Sequence, residues 1–140
     1  MMIDDYVSKN SKKAVSFTSL GQLRYLSALQ YVDAVVGNSS SGLTEAPSFK
    51  IGTINIGERQ KGRIKADSII DCQPIQTEIQ TAFSKLYSDE FQKNLKEVKN
   101  PYGSGMASKK IVQVLKNANL LNITKKSFYN LDLVWEVRKK

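Results

Sequence analysis

Ala34-Val35-Val36 runs directly into Gly37-Asn38-Ser39-Ser40-Ser41-Gly42, and the segment after it has helical pattern. A short apolar strand that passes through small residues into a helix start leaves few folds open. The first amides of a helix have no partner within it, and small side chains let an anion approach them closely. The helix dipole adds roughly half a positive charge at that end. The run therefore reads as a cradle for phosphate, and Glu45, one turn on, is spaced to accept hydrogen bonds from an adjoining ribose. The plainer alternative is a turn whose serines only cap the helix, although three serines between two glycines exceed what a cap requires.

The rest of the chain repeats this alternation. Helices are expected over residues 2–9, from Leu20 to Val32, from Gly42 to Phe49 and from Ala107 to Ala118. Another is expected from Pro74, as first helical residue, through Leu95 or Val98, with a break near Ser88-Asp89. Short strands are expected at Ala14–Phe17, Ala34–Asn38, Gly52–Gly57 and Ser68–Cys72. The strands are continuous apolar runs, so both of their faces should be covered. This predicts an α/β domain, a partial Rossmann-like three-layer parallel sheet with helices on both faces. Ligands of such sheets sit beyond the carboxyl ends of the strands, where the serine run falls.

Composition narrows the function. The 140 residues suit one domain with a modest core, and 41% hydrophobic with 24% charged residues is ordinary for a globular chain. No apolar run approaches the roughly 20 residues of a membrane span, and the acidic N-terminus is too polar for a signal peptide. Cys72 is the only cysteine, so no disulfide framework is expected and a cytoplasmic location is simplest. The net charge of +8 raises nucleic acid as a partner, but the basic residues are scattered and no nucleic-acid-binding motif accompanies them. Neither nucleic acid nor membrane is expected as a partner. The chain has no histidine, which removes the usual general base, the usual metal ligand and any Ser-His-Asp triad. No metal site, no cofactor and no catalytic residue is assigned.

Two further loops carry polar residues between glycines. Gly57-Glu58-Arg59-Gln60-Lys61-Gly62-Arg63 is no Walker A sequence, because no Ser or Thr follows a Gly-Lys pair. Arg59 or Arg63 could reach a phosphate or a neighbouring subunit, and a solvated loop is the equal alternative. Asn100-Pro101-Tyr102-Gly103-Ser104-Gly105 has turn composition, with a second helix-start anion site at Ser104-Gly105 as the sharper reading.

Ser19-Leu20-Gly21, Tyr25-Leu26, the serine run, Glu45-Ala46-Pro47, Thr53-Ile54-Asn55-Ile56-Gly57, Arg59-Gln60-Lys61-Gly62-Arg63 and Asn100-Pro101-Tyr102-Gly103 occur in this order. Together they resemble the C-terminal half of the hydrolysing UDP-N-acetylglucosamine 2-epimerases of sialic-acid and related pathways, over roughly residues 3–120. Non-hydrolysing relatives usually carry Asp-Ser-Gly-Gly at the serine run, so Asn38 and Ser39-Ser40 favour the hydrolysing branch. The resemblance implies a GT-B architecture in which residues 1–120 form a truncated UDP-binding domain and 121–140 a tail. It implies UDP or a UDP-sugar as ligand. Ser39 and Ser40, with the amides around Ser41 and Gly42, would hold the diphosphate, and Glu45 the ribose. Leu20, through its backbone, and Tyr25 would contact the uracil, and Arg59 would lie near the nucleotide or shape its loop.

The family's catalytic acids, base and histidine lie upstream of the resembling segment. The chain is accordingly expected to be a truncated product or fragment that begins within a helix, lacks the first strands of its sheet and is inactive alone. Gly52 stands where relatives often have proline, and Met106 replaces a small or polar residue; neither is expected to abolish binding. The full-length enzyme would be a homo-oligomer converting UDP-N-acetylglucosamine to N-acetylmannosamine and UDP. A relative acting on a UDP-diacetamido sugar, of the bacillosamine type, is one alternative. A non-catalytic module that binds nucleotide or docks on a homologue through its sheet edge and apolar tail is another.

Overall fold

The computed structural model describes residues 2–121 and 123–126. Internal packing divides the chain into two units, residues 1–104 and 105–140, each described by itself.

The first unit is built on a three-stranded parallel sheet in the order β1 (Ala34–Gly37), β2 (Gly52–Ile56), β3 (Ile69–Cys72). Register pairs Ala34 with Gly52 and Gly37 with Asn55, then Thr53 with Ile69 and Ile56 with Cys72. Helices α1 (Met2–Lys9) and α2 (Gly21–Ala28) precede the sheet. Between β1 and β2 lie α3 (Ser41–Thr44) and a 3₁₀ turn, Ala46–Phe49; after β3 come α4 (Gln76–Leu86) and α5 (Asp89–Leu95). Parallel strands bring the segments that follow them, beginning at Asn38, Gly57 and Gln73, to one edge of the sheet. The architecture is the partial Rossmann-like α/β domain that the pattern predicts.

Successive residues of a strand face opposite ways, and β2 shows what covers each side. A Cβ on Gly52 would stand 2.3 Å from Leu86 Cδ1 and 3.0 Å from Phe91 Cε1, so the α4–α5 pair lies on that face. Ile54 points the same way and joins Ile70, Cys72, Ala82, Leu86, Phe91, Leu95 and Val98 in the apolar core. On the opposite face a Cβ on Gly42 would stand 2.6 Å from Thr53 Cγ2, which puts α3 there. Glycine at 42 and at 52 is thus a condition of close packing. All of Gly52–Asn55 is buried, as a central parallel strand requires.

Four expectations need correction. Ala14–Phe17 is not a strand; Val15 and Phe17 are exposed, and Phe17 lines a cavity instead of entering the sheet. The helix expected from Leu20 to Val32 is regular only over Gly21–Ala28. The helix expected from Gly42 to Phe49 is one α-turn and one 3₁₀ turn, because Pro47 has no N–H to continue an α-helical ladder. Pro74 precedes α4 by two residues: Ile75 is extended, and the Glu78 carboxylate reaches back to accept from the Gln73 amide at 2.9 Å. The expected break near Ser88 is present, with Ser88 Oγ accepting from the Phe91 amide at 3.3 Å and capping α5.

The second unit contains α6 (Ala107–Asn117), entered through Met106 in a left-handed conformation at φ 63°. Ile111, Val112, Val114 and Leu115 on this helix are exposed. The tail residues Ser127–Leu131 and Val134-Trp135, expected to pack on something, lie outside the described residues. No helix among the described residues is long and apolar enough to cross a membrane.

Candidate functional site

β1 ends at Gly37, whose φ of 144° is a backbone region that side-chain-bearing residues rarely adopt. The chain turns there, and Asn38 to Ser41 fold over the carboxyl end of the strand. Ser39 Oγ accepts from the Ser41 amide at 3.4 Å, while the Gly42 amide donates to Ser39 O at 3.3 Å. The Leu43 and Thr44 amides both donate to Ser40 O at 2.9 Å. The amides of Ser39 and Ser40 find no acceptor among the described residues. Since α3 is a single turn, the dipole expected of a longer helix is largely lost. What remains for an anion is the pair of open amides and the hydroxyls of Ser39 and Ser40.

Three segments from elsewhere fix this turn. Gln60, buried at 2% exposure, donates its Nε2 to Asn38 O at 2.7 Å, and Arg59 Nη1 approaches Asn38 Oδ1 at 3.5 Å. Thr53 Oγ1 donates to Gly42 O at 2.9 Å from beneath. Asn100 donates to Thr44 O at 2.8 Å and to Ser48 Oγ at 2.7 Å, and its Oδ1 accepts from the Tyr102 amide at 2.9 Å. Tyr102 in turn donates its hydroxyl to Ile64 O at 2.9 Å. The loops that carry Arg59 and Asn100 thus support the serine turn. Gln60, Thr53 and Asn100 were missed as site residues. Each stands in a segment that carries the family resemblance, without a role attached to it, and the Asn-Pro pair at Asn100 marks a turn and not its partner.

A cavity of about 600 Å³ opens beside the turn, lined by Phe17, Ser19, Leu20, Tyr25, Val35, Ser39, Ser41 and Glu45 among others. Five of the eight residues singled out from sequence, Leu20, Tyr25, Ser39, Ser41 and Glu45, meet on its wall. Ser40, Gly42 and Arg59 do not line it: Ser40 and Gly42 belong to the turn behind, and Arg59 touches it through Asn38. Inside the cavity Ser41 Oγ hydrogen-bonds both Glu45 Oε2, at 2.6 Å, and the Tyr25 hydroxyl. The lining combines apolar Phe17, Leu20 and Val35 with polar Ser39, Ser41 and Glu45. That mixture suits a guest with both a flat ring and hydroxyl groups.

A second cavity of about 250 Å³ lies at the carboxyl ends of β2 and β3, between Glu58, Lys61, Lys65, Asp71, Cys72 and Glu78. Four of its charged side chains are paired, Lys65 with Asp71 at 2.8 Å and Lys61 with Glu58 at 3.4 Å, and Glu78 accepts from the Gln73 amide. Burial by itself would raise the Asp71 carboxyl, but hydrogen bonds from Lys65 and Asn55, with the Lys65 charge, hold it below the ordinary value. Burial pushes the Cys72 thiol up, and the Glu78 and Asp71 charges push it further, which disfavours the thiolate. Among the described residues no group of three or more His, Cys, Asp or Glu is placed to hold a metal ion.

Residues 1–116 match the family described as UDP-N-acetylglucosamine 2-epimerase. The chain is 47% identical to a GDP/UDP-N,N'-diacetylbacillosamine 2-epimerase (hydrolyzing) of Campylobacter jejuni over 131 residues, 93% of this chain and 34% of that protein. It is 36% identical to the polysialic acid biosynthesis protein P7 of Escherichia coli over 108 residues, 76% of this chain and 28% of the relative. With a UDP-N-acetylglucosamine 2-epimerase of Neisseria meningitidis it shares 33% identity over 69 residues, 49% of this chain and 18% of the relative. The chain spans about a third or less of the length of these relatives.

Proposed function

Because the chain belongs to the UDP-N-acetylglucosamine 2-epimerase family, we propose that it binds the UDP part of a nucleotide sugar in the cavity beside the serine turn. The observation that carries this reading is the convergence of Leu20, Tyr25, Ser39, Ser41 and Glu45 on one wall of about 600 Å³, a volume that suits a nucleotide. In this reading Leu20 and Tyr25 flank the uracil, Glu45 accepts from the ribose hydroxyls, and the diphosphate lies on Ser39, Ser40 and the turn amides. Gly42 keeps the turn close to β2, and Arg59 holds Asn38 in place at the turn's mouth. The complete protein, cytoplasmic and homo-oligomeric, would remove the proton at C2 of the sugar, expel UDP and add water to the resulting glycal. Such chemistry needs an acid and a base beside the sugar. No pair here is assigned to those roles, so the chain alone is expected to turn over no nucleotide sugar.

For the sugar itself, the family as a whole supports UDP-N-acetylglucosamine as the first reading. The 47% identity to a diacetylbacillosamine epimerase supports a diacetamido sugar as the second reading.

Calorimetric titration of UDP into the chain, repeated with Glu45→Ala, tests the proposal. Saturable binding that weakens about tenfold in the variant is the expected result, as for a lost hydrogen bond to a charged group. A folded chain that binds no UDP, or a variant that binds as well as the parent, would overturn it.

A further inference from the structure

Tyr25, Ser41 and Glu45 form a hydrogen-bonded chain across the cavity wall, from α2 through the first residue of α3 to its end. A carboxylate has no proton to give, so the single Ser41 proton goes to Glu45 Oε2, and the Ser41 oxygen accepts from the Tyr25 phenol. One carboxylate oxygen is thereby held by the protein, while Oε1 carries no hydrogen bond among the described residues. From this arrangement we infer that Ser41 is a positioning residue, which aims the Glu45 carboxylate at a vicinal diol and makes the site select a ribonucleotide over its 2′-deoxy counterpart.

The inference rests on the nucleotide reading of the cavity and deepens it. A free glutamate side chain spreads over several rotamers, and each must be given up when a ligand binds. Ser41 removes that cost beforehand, because Glu45 is already tied at one oxygen. Tyr25 extends the tie to α2, so the wall facing an apolar ring and the carboxylate facing hydroxyls are set together. A ligand without one of its two hydroxyls leaves the oriented carboxylate one donor short, and a missing partner to a site built for it discriminates strongly between close analogues.

The test is calorimetric titration of UDP and of 2′-deoxy-UDP into the parent chain, Ser41→Ala, Ser41→Thr and Tyr25→Phe. The parent should prefer UDP by about tenfold or more. Ser41→Ala should lose most of that preference, with UDP weakened and 2′-deoxy-UDP nearly unchanged; a merely structural defect would weaken both alike. Ser41→Thr, which keeps the hydroxyl, should restore the preference. Tyr25→Phe keeps the ring and drops one oxygen, so it gives a second reading of the relay if Ser41→Ala folds poorly; its preference should fall between those of the parent and Ser41→Ala. An unchanged ratio in both Ser41→Ala and Tyr25→Phe would overturn the inference while leaving nucleotide binding intact. Failure of the parent to bind either nucleotide would instead remove the nucleotide reading itself.

Discussion

On one side of β2, the notch at Gly52 and the side chain of Ile54 take Leu86 and Phe91 against them with no polar group involved. On the other, Thr53 donates to the Gly42 carbonyl and Asn55 donates to Asp71 Oδ1 at 2.7 Å. The first side is held by apolar area, which is roughly indifferent to direction. The second is held by hydrogen bonds, which weaken steeply when angle or distance changes. Stability should therefore depend chiefly on the α4–α5 side, and the shape of the serine turn on the α3 side. The strand itself belongs equally to both.

Truncating Leu86, which is fully buried, gives the largest expected effect. Leu86→Ala should cost about 2–5 kcal/mol in urea denaturation, as other buried leucines do. Under conditions where the variant is still folded, its affinity for UDP should stay within about twofold, below the roughly tenfold that 1.4 kcal/mol represents. A large change in affinity would break the division between the faces. Gly42→Ala comes next, because the new methyl meets Thr53 Cγ2. Overpacking of this kind costs about 1–3 kcal/mol, and here the shift should also weaken UDP binding. Adding Thr53→Ser, which removes Cγ2 and keeps the hydroxyl, should recover much of both losses. A Gly42→Ala chain as stable and as competent as the parent would show that the α3 side is not closely packed after all.

The smallest effect concerns Asp71, whose folded carboxyl titrates below its ordinary value of 3.8. Its contribution is present above that value and is lost as pH falls through the lower, folded one. Because Asp71 is half exposed and its pair with Lys65 is open to salt, the contribution should be at most about 0.5 kcal/mol. Thermal melts of Asp71→Asn and the parent should differ slightly near about pH 6 and converge near about pH 2. A gap that widened on acidification would reverse the sign assigned to the Lys65–Asp71 pair.

The three strands were legible because Ala34-Val35-Val36, Thr53-Ile54-Asn55-Ile56 and Ser68-Ile69-Ile70-Asp71-Cys72 are short runs suited to coverage on both faces. Ala14–Phe17 has similar composition, but Val15 and Phe17 stay exposed, and a short apolar run leaves the same local pattern whether or not it enters a sheet. The break at Pro47 follows from its missing N–H, a signal that the apolar spacing of Leu43, Ala46 and Phe49 concealed. The wall of the cavity was largely readable, since Ser39, Ser41 and Glu45 lie within seven residues of one another. Its supports were not, because Gln60 and Asn100 act on carbonyl groups far away in the chain, and a backbone carbonyl has no identity in sequence.

Asn100 bonds Thr44 across 56 residues and Ser48 across 52, and that separation has a meaning in time. A chain is synthesised at about 5–20 residues per second, so Asn100 is added several seconds after the serine turn. During that interval the turn has Thr53 and Gln60 to lean on but not its last support. The serine turn is consequently completed after the sheet beneath it. A nascent chain halted short of residue 100 would carry the strands and lack the finished site.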